Sequence, residues 1–181
     1  MLNSYNRTHY LRHDLRVESL TQIIIGLDNA INILKSKKNE LSWYDGLWFM
    51  EESESIYGLA FIAFQNYIIS SIKDFANSTS KKHEYYKLEP RFKNYEASRI
   101  QLIIGLANYS KHKDEDGKLL SPTKEILESF NLSIDKDIDI NSSPVFKGLT
   151  ILNEKWNLFE IMKIVTNWRE LLWNNEIEIN T

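Results

Sequence analysis

The chain has 181 residues and no cysteine, and its 22 basic and 25 acidic residues give a formal charge of −3. This length suits one folded domain, and the lack of cysteine excludes disulfides, thiolate metal sites and a cysteine nucleophile. Because neither sign of charge dominates, the composition does not indicate strong, nonspecific nucleic-acid binding through a basic surface, whereas local contacts to RNA stay open. Residues 1–181 are therefore predicted to form a single domain.

The composition also argues against a strand-rich or membrane-spanning chain. Only 6 glycines and 3 prolines are present, too few for a fold with many tight turns. The polar start of the chain has no apolar core, which predicts that it is not a secretory signal. The longest apolar run, residues 56–64, is shorter than the roughly 18 residues that span a bilayer. These features predict a cytoplasmic protein with no membrane partner.

Apolar residues at helical spacing predict two long helices in the first half of the chain. The first begins near Asp14 and ends at residues 35–38, where lysines complement the helix dipole. Its stripe comprises Leu20, Ile24, Leu27, Ile31 and Leu34. The second begins at Ser42, with Asp45 completing a short capping box. It is apolar on all sides over residues 56–64, which indicates a helix buried between neighbours.

The second half of the chain predicts two more long helices and a short one. A third long helix begins near Pro90, which suits a first helical position, and ends at residues 114–117. A short helix runs from Ser121, acting as its cap, to near Phe130. Residues 131–147 alternate weakly and are predicted as an irregular excursion or a short edge strand. The last long helix is predicted as one element from Leu149 to Trp173.

These elements predict an all-α fold, an antiparallel bundle of four long helices and one short helix. Each apolar stripe needs a neighbouring helix to cover it, and a bundle satisfies all of them together. The second and third long helices are the most apolar and are predicted to form the central pair. Trp168 and Trp173 are five residues apart and cannot both face one neighbour, so one of them is expected to contact another subunit.

A polar cluster, Asn108, Lys111 and His112, ends the otherwise apolar third helix. Asn108 and His112 are four residues apart and lie on one face, with Lys111 beside them, so the three are expected to line one polar pocket. Such a pocket suits metal-independent RNA cleavage, with His112 as base, Asn108 positioning the phosphate and Lys111 offsetting its charge. A structural role is the alternative, because His and Lys at a helix C-terminus bind its free carbonyls.

The segment at residues 107–112, ANYSKH, resembles the motif of HEPN domains, which are helical bundles found in many bacterial toxins and defence proteins. In that family an Arg is usually followed by a polar residue such as Asn, then by a few residues and a His. Asn108 and His112 match, and Ala107 stands at the Arg position. The resemblance implies a homodimer with a composite ribonuclease site, RNA or an antitoxin as partner, and a role in phage defence or toxin–antitoxin biology.

A second hypothesis, from another class, is a noncatalytic helical module that binds a partner protein. Ala107 favours this hypothesis because the family's cation is missing, while the clustered polar residues favour a ribonuclease. Arg99 points away from Asn108 and is predicted to pair with Glu51 or Glu54 on the second helix. No cofactor or metal ion is expected, because the sequence has no phosphate-binding glycine loop, zinc signature or Glu-x-x-His pattern.

Overall fold

The computed structural model describes residues 11–115, 120–134 and 139–179. These residues form helices and irregular segments with no β-strand among them, so the predicted all-α bundle is confirmed. The seven helices are α1 (Val17–Glu40), α2 (Gly46–Ala76), α3 (Lys82–Tyr85), α4 (Arg99–His112), α5 (Ser121–Glu128), α6 (Pro144–Leu152) and α7 (Leu158–Ile179). A 3₁₀ turn at Ile140–Ser142 precedes α6.

The first two helices follow the predicted stripes but differ at one cap. In α1, Leu20, Ile24 and Ile31 are buried, as the spacing predicts. The second helix begins at Gly46 and not at Ser42. Asp45 alone caps it, because its carboxylate accepts hydrogen bonds from the N–H groups of residues 47 and 48 at 2.9 and 3.1 Å. A carboxylate at this position satisfies two free N–H groups of the first turn.

The predicted start of the third helix at Pro90 is wrong, because α4 begins at Arg99. Ser98 and Gln101 form a capping box there: the Ser98 hydroxyl accepts from the Gln101 N–H at 3.2 Å, and the Gln101 side chain accepts from the Ser98 N–H at 3.1 Å. Reciprocal caps define this start, whereas a proline only permits one. The helix ends at His112, shortly before the predicted stop.

The prediction of one last helix is also wrong, because two asparagines divide it into α6 and α7. Asn153 Oδ1 accepts the N–H groups of Lys155 and Asn157, each at 3.1 Å. Asn157 Oδ1 then caps α7 by accepting two N–H groups at 2.9 and 3.1 Å. Since α6 begins at Pro144, the irregular segment ends before residue 147. Residues 135–138 of that segment lie outside the described residues.

The short helix α5 matches its predicted extent but not its predicted cap. It runs from Ser121 to Glu128, and the cap position is occupied by Leu120. Ser121 is therefore the first helical residue and makes no capping hydrogen bond with its side chain. Pro122 lies in the first turn, where its missing N–H has no cost.

Helices α2 and α4 form the central pair of the bundle, as predicted. Gly58 allows their close approach: a Cβ atom there would lie 2.9 Å from the Ser110 hydroxyl oxygen. Helix α6 also packs closely on α4, since a Cβ at Gly148 would lie 2.4 Å from Leu106. The C-terminal half of α4, which carries the predicted site, is therefore held between two helices.

Helix α2 is long and apolar enough to cross a bilayer by length and composition alone. In its most apolar stretch, however, 56% of the residues are buried inside the bundle. A core helix of a soluble protein has this character, because neighbouring helices cover its apolar faces.

The expectation that Trp168 or Trp173 contacts another subunit is wrong, because both are buried within the chain with 1% exposure. The Trp168 Nε1–H donates to the Tyr85 carbonyl oxygen at 3.1 Å. The Trp173 ring packs edge-on against Phe75 at a centroid distance of 5.2 Å. The two rings face different neighbours of α7, and both neighbours belong to the same bundle.

Candidate functional site

Asn108 and Lys111 meet at one buried side chain, Gln65 of α2. The Gln65 Nε2–H donates to Asn108 Oδ1 at 2.7 Å, and the Lys111 ammonium donates to Gln65 Oε1. Asn108 Nδ2–H donates in turn to the Thr123 hydroxyl of α5 at 3.3 Å. Gln65 and Thr123 are buried, at 3% and 4% exposure. This chain of hydrogen bonds, the Gln65 network, joins α2, α4 and α5 and uses both ends of the Asn108 amide.

Lys111 is the one charged member of the Gln65 network. Partial burial lowers the pKa of its ammonium, and the positive charge of Lys82 lowers it further. Desolvation disfavours the charged form, and a like charge acts in the same direction. The ammonium is therefore held by Gln65 in a less favourable setting than a free surface lysine has.

His112 does not join the Gln65 network. Its side chain is 45% exposed, and its Nδ1 lies 2.9 Å from a carboxylate oxygen of Glu115, three residues further on. The predicted pocket of Asn108, Lys111 and His112 is thus divided in the structure: two of its members meet inside the bundle, and the third is at the surface. The four-residue spacing places His112 on the same face of α4 as Asn108, but its position in the last turn allows its side chain to extend into solvent.

Neither Ala107 nor Arg99 supplies the arginine side chain that the resemblance would require beside Asn108. Ala107 is fully buried in the core. Arg99 lies at the other end of α4, about 20 Å along the helix axis from His112. The predicted pairing of Arg99 with Glu51 or Glu54 is wrong: its Nε–H donates to Glu89 at 2.7 Å, and the Glu89 carboxylate also accepts the Arg99 backbone N–H at 3.1 Å.

A second cluster of polar side chains, which the sequence did not predict, is centred on Glu54. This carboxylate is 9% exposed and accepts hydrogen bonds from the Lys113 ammonium and the Ser143 hydroxyl. It joins α2 to the end of α4 and to the start of α6. Burial, together with the negative charges of Glu54 and Asp114, raises the pKa of Tyr109 to about 12. The end of α4 is therefore fixed by ion pairing and hydrogen bonds on both sides.

Two cavities of the molecule lie away from the Gln65 network. A groove of about 590 Å³ runs along the start of α4, and its charged lining includes His83, Lys87, Arg91 and Glu125. A second, more apolar cavity of about 430 Å³ lies near α6. Neither is lined by Asn108, Lys111 or His112. In the part of the chain that the structure describes, no three His, Asp or Glu side chains are grouped to hold a metal ion.

Comparison of the chain with protein-family models, with curated proteins and with solved structures finds no match. Function must therefore be argued from this chain's own surfaces. The resemblance of residues 107–112 to the HEPN motif stays a hypothesis drawn from the sequence.

The most exposed large aromatic side chains lie at the corner between α1 and α2. Trp43 and Trp48 are 60% and 52% exposed and pack edge to face, with centroids 6.1 Å apart. Trp156, in contrast, is partly buried and packs on Tyr57 and Phe146. Sequence neighbours do not distinguish these tryptophans: Trp168 lies between polar residues and is buried, whereas Trp48 lies between Leu47 and Phe49 and is exposed. The exposed pair is a surface feature that periodicity did not predict.

Proposed function

We propose that this chain is a noncatalytic helical protein–protein interaction module that binds through the exposed side of α1 and α2. The observation that carries the proposal is the exposure of large apolar side chains on these two helices. They are Ile23, Ile33, Trp48 and Leu59, together with Trp43 in the segment between the two helices, each at least half exposed. Exposed apolar groups gathered on one part of a surface are typical of binding sites, and tryptophan is enriched among the residues that dominate interface energies.

The polar residues of α4 support the noncatalytic assignment. Catalysis needs a positioned acid or base within reach of groups that stabilise the developing charge. Here the Asn108 amide is bonded at both ends, Lys111 is bound to Gln65, and His112 lies outside their network. Asn108 and Lys111 stabilise the contact between helices. A cytoplasmic role in phage defence or a toxin–antitoxin pair, with a protein partner, is compatible with such a module.

Site-specific photocrosslinking in the cells from which the chain comes tests this proposal. A benzophenone amino acid replaces Trp48 in one variant and Leu120 in a control. Leu120 is a suitable control because it is 73% exposed but belongs to a different element, at the cap position of α5. We expect discrete protein adducts from position 48. Excess unlabelled parent protein should compete with the labelled protein and suppress these adducts, and a Trp43→Ser/Trp48→Ser variant should suppress them less. Equal labelling from both positions would contradict the proposal.

Ribonuclease activity is a second candidate, favoured by one observation. The His112 ring is exposed while Glu115 holds its Nδ1, an arrangement that orients an imidazole for proton transfer at its other nitrogen. If this His is a general base, His112→Ala should reduce RNA cleavage by a factor of about 10² to 10⁴.

The measurement is cleavage of a labelled RNA by the purified parent, by His112→Ala and by His83→Ala, a control at another exposed histidine. The noncatalytic proposal expects no cleavage by any of the three proteins. Cleavage by the parent and by His83→Ala, lost in His112→Ala at an unchanged melting temperature, would establish the ribonuclease instead. Cleavage that survives His112→Ala would exclude His112 as its base.

A further inference from the structure

Helix α1 carries a second apolar stripe that the bundle leaves uncovered. Ile23 and Ile33 are 50% and 63% exposed, and between them Gly26 and Ala30 continue the stripe at intervals of three and four residues. This spacing places all four on one side of the helix, next to the stripe that packs on α2. A single apolar stripe suffices for a helix at the edge of a bundle. The second one indicates a further helix as its neighbour.

The uncovered stripe has a similar pattern of large and small residues in both directions. About a midpoint at position 28, Ile23 corresponds to Ile33 and Gly26 to Ala30. The symmetry continues past the helix ends, where Leu15 corresponds to Leu41; these leucines are 56% and 37% exposed. An antiparallel copy of the same helix, paired about position 28, would therefore place Ile23 opposite Ile33 and Gly26 opposite Ala30 of its partner, and a two-fold axis makes both contacts occur twice.

We propose that α1 packs antiparallel against α1 of a second copy of this chain, forming a two-fold symmetric dimer. The inference rests on the proposed function, because it names the occupant of that same surface. Small residues lie at the centre of the stripe, and a Cβ at Gly26 would have no neighbour within 4 Å. The two helix backbones can thus approach closely there, with isoleucines closing the contact on either side.

The charges at the ends of α1 suit an antiparallel partner. Glu18 lies in the first turn, and Lys37 and Lys38 lie in the last turn. Antiparallel pairing brings the acidic end of one helix beside the basic end of the other, and it also opposes the two helix dipoles. Parallel pairing would bring like charges together. Charge complementarity therefore favours a second copy in this orientation over a helix of arbitrary sequence.

Helix α2 extends the same surface. The ion pair between Lys37 and Glu52, at 3.0 Å, joins the uncovered side of α1 to one side of α2. Leu59 follows Glu52 by seven residues and Trp48 precedes it by four, so both lie on that side. With Ile23 and Ile33, these exposed groups supply on the order of 500 Å² of apolar surface. That matches the apolar share of the roughly 800 Å² that each partner buries in a stable dimer.

Light scattering and sedimentation of the purified chain at about 50 µM test the dimer. The parent should be dimeric, and Ile33→Glu should raise the dissociation constant about 100-fold, because two carboxylates enter an apolar contact. Ile33 is exposed in the single chain, so the circular dichroism spectrum should not change. Leu120→Glu makes the same kind of change on an exposed residue of another element, and it should stay dimeric. A monomeric parent, or an Ile33→Glu protein with the dissociation constant of the parent, would overturn the inference.

Cysteine crosslinking tests the register, since the chain has no native cysteine. Ile23→Cys and Ile33→Cys proteins are oxidised separately and after mixing. Antiparallel pairing predicts a disulfide dimer in the mixture and little in either protein alone, and crosslinking of each protein to itself would refute it. The proposed function is tested separately from the dimer. If the chain is monomeric but position 48 crosslinks to a different protein, the dimer is refuted and the proposed function is supported. If position 48 crosslinks to no protein, the proposed function is refuted.

Discussion

Trp168→Ala is expected to lower the free energy of unfolding by about 3–5 kcal/mol, the range for truncating a large aromatic residue in a core. Trp168 is 1% exposed, and its ring fills the space between α7 and the segment that contains Tyr85. The substitution leaves a cavity and also removes the hydrogen bond to the Tyr85 carbonyl oxygen. Such a loss is a large part of the total stability of a domain of this size.

Trp43→Ala provides the matched control for this prediction. It removes the same atoms from a side chain that is 60% exposed, so we expect a loss of less than about 1 kcal/mol. Urea unfolding followed by circular dichroism measures both values, at a protein concentration low enough for the chain to be monomeric. Similar losses in the two variants would show that the interior and exposed tryptophans are wrongly assigned.

The helical fold could be predicted because burial imposes a periodicity on the sequence. Leu20, Ile24 and Ile31 repeat at the spacing of one helix face, and they are buried as that spacing requires. The all-apolar segment of α2 likewise predicted its central place. These apolar patterns extend over many residues, so one residue that departs from the pattern does not change the prediction of a helix.

The helix ends could not be predicted as well, because each depends on a few hydrogen bonds. Ser98 starts α4 through its capping box, and Asn157 starts α7 by accepting two N–H groups. Serines and asparagines are frequent throughout the sequence, and most of them do not cap a helix. Apolar residues lie on both sides of the break between α6 and α7, so periodicity alone joined the two helices into one.

The candidate site was predictable only in part, for a geometric reason. Helical spacing correctly indicated that Asn108 and Lys111 lie near each other. Their common partner, Gln65, is 43 residues before Asn108, and spacing within one helix cannot identify it. A signal was nevertheless present, since Gln65 directly follows the apolar run at residues 56–64. A polar residue on a buried helix needs a partner from another element.

The exposed position of His112 follows from where α4 ends. A helix end has free carbonyl groups and few neighbours, so its last side chains can extend into solvent. Glu115, three residues later, then binds the imidazole. Helical spacing therefore predicts the neighbours of a side chain well in the middle of a helix and less well in its last turn.

Tyr57 and Tyr86 together are expected to lower the free energy of unfolding by roughly 3 kcal/mol between pH 9 and pH 11, and other tyrosines with a raised pKa, such as Tyr109, add to this fall. Burial raises the pKa of both tyrosines to about 12, and the negative charge of Asp28 adds to the effect at Tyr57. The unfolded chain loses these protons near pH 10, whereas the folded chain keeps them. Above pH 10 the unfolded state thus binds fewer protons, so stability is lost as the pH rises towards 12 and is fully present below 10.

Tyr57→Phe isolates one of these two contributions. The Tyr57 hydroxyl is buried and has no hydrogen-bond partner among the described residues, so its removal should leave stability at pH 8 unchanged or raise it by about 1 kcal/mol. The decrease in the free energy of unfolding that is assigned to the two tyrosines should also be about half as large in the variant, since one of the two titrating groups is gone. Urea midpoints at pH 8, 9, 10 and 11 measure this change.

Phe64→Leu is the control for the pH series, because it destabilises the same helix without removing an ionisable group. Phe64 is fully buried, so this variant should be less stable than the parent at every pH, with the same dependence on pH. A Tyr57→Phe protein whose stability falls as steeply as that of the parent would show that the Tyr57 hydroxyl keeps no extra proton in the folded state. The alkaline instability would then have to arise from other groups of the chain.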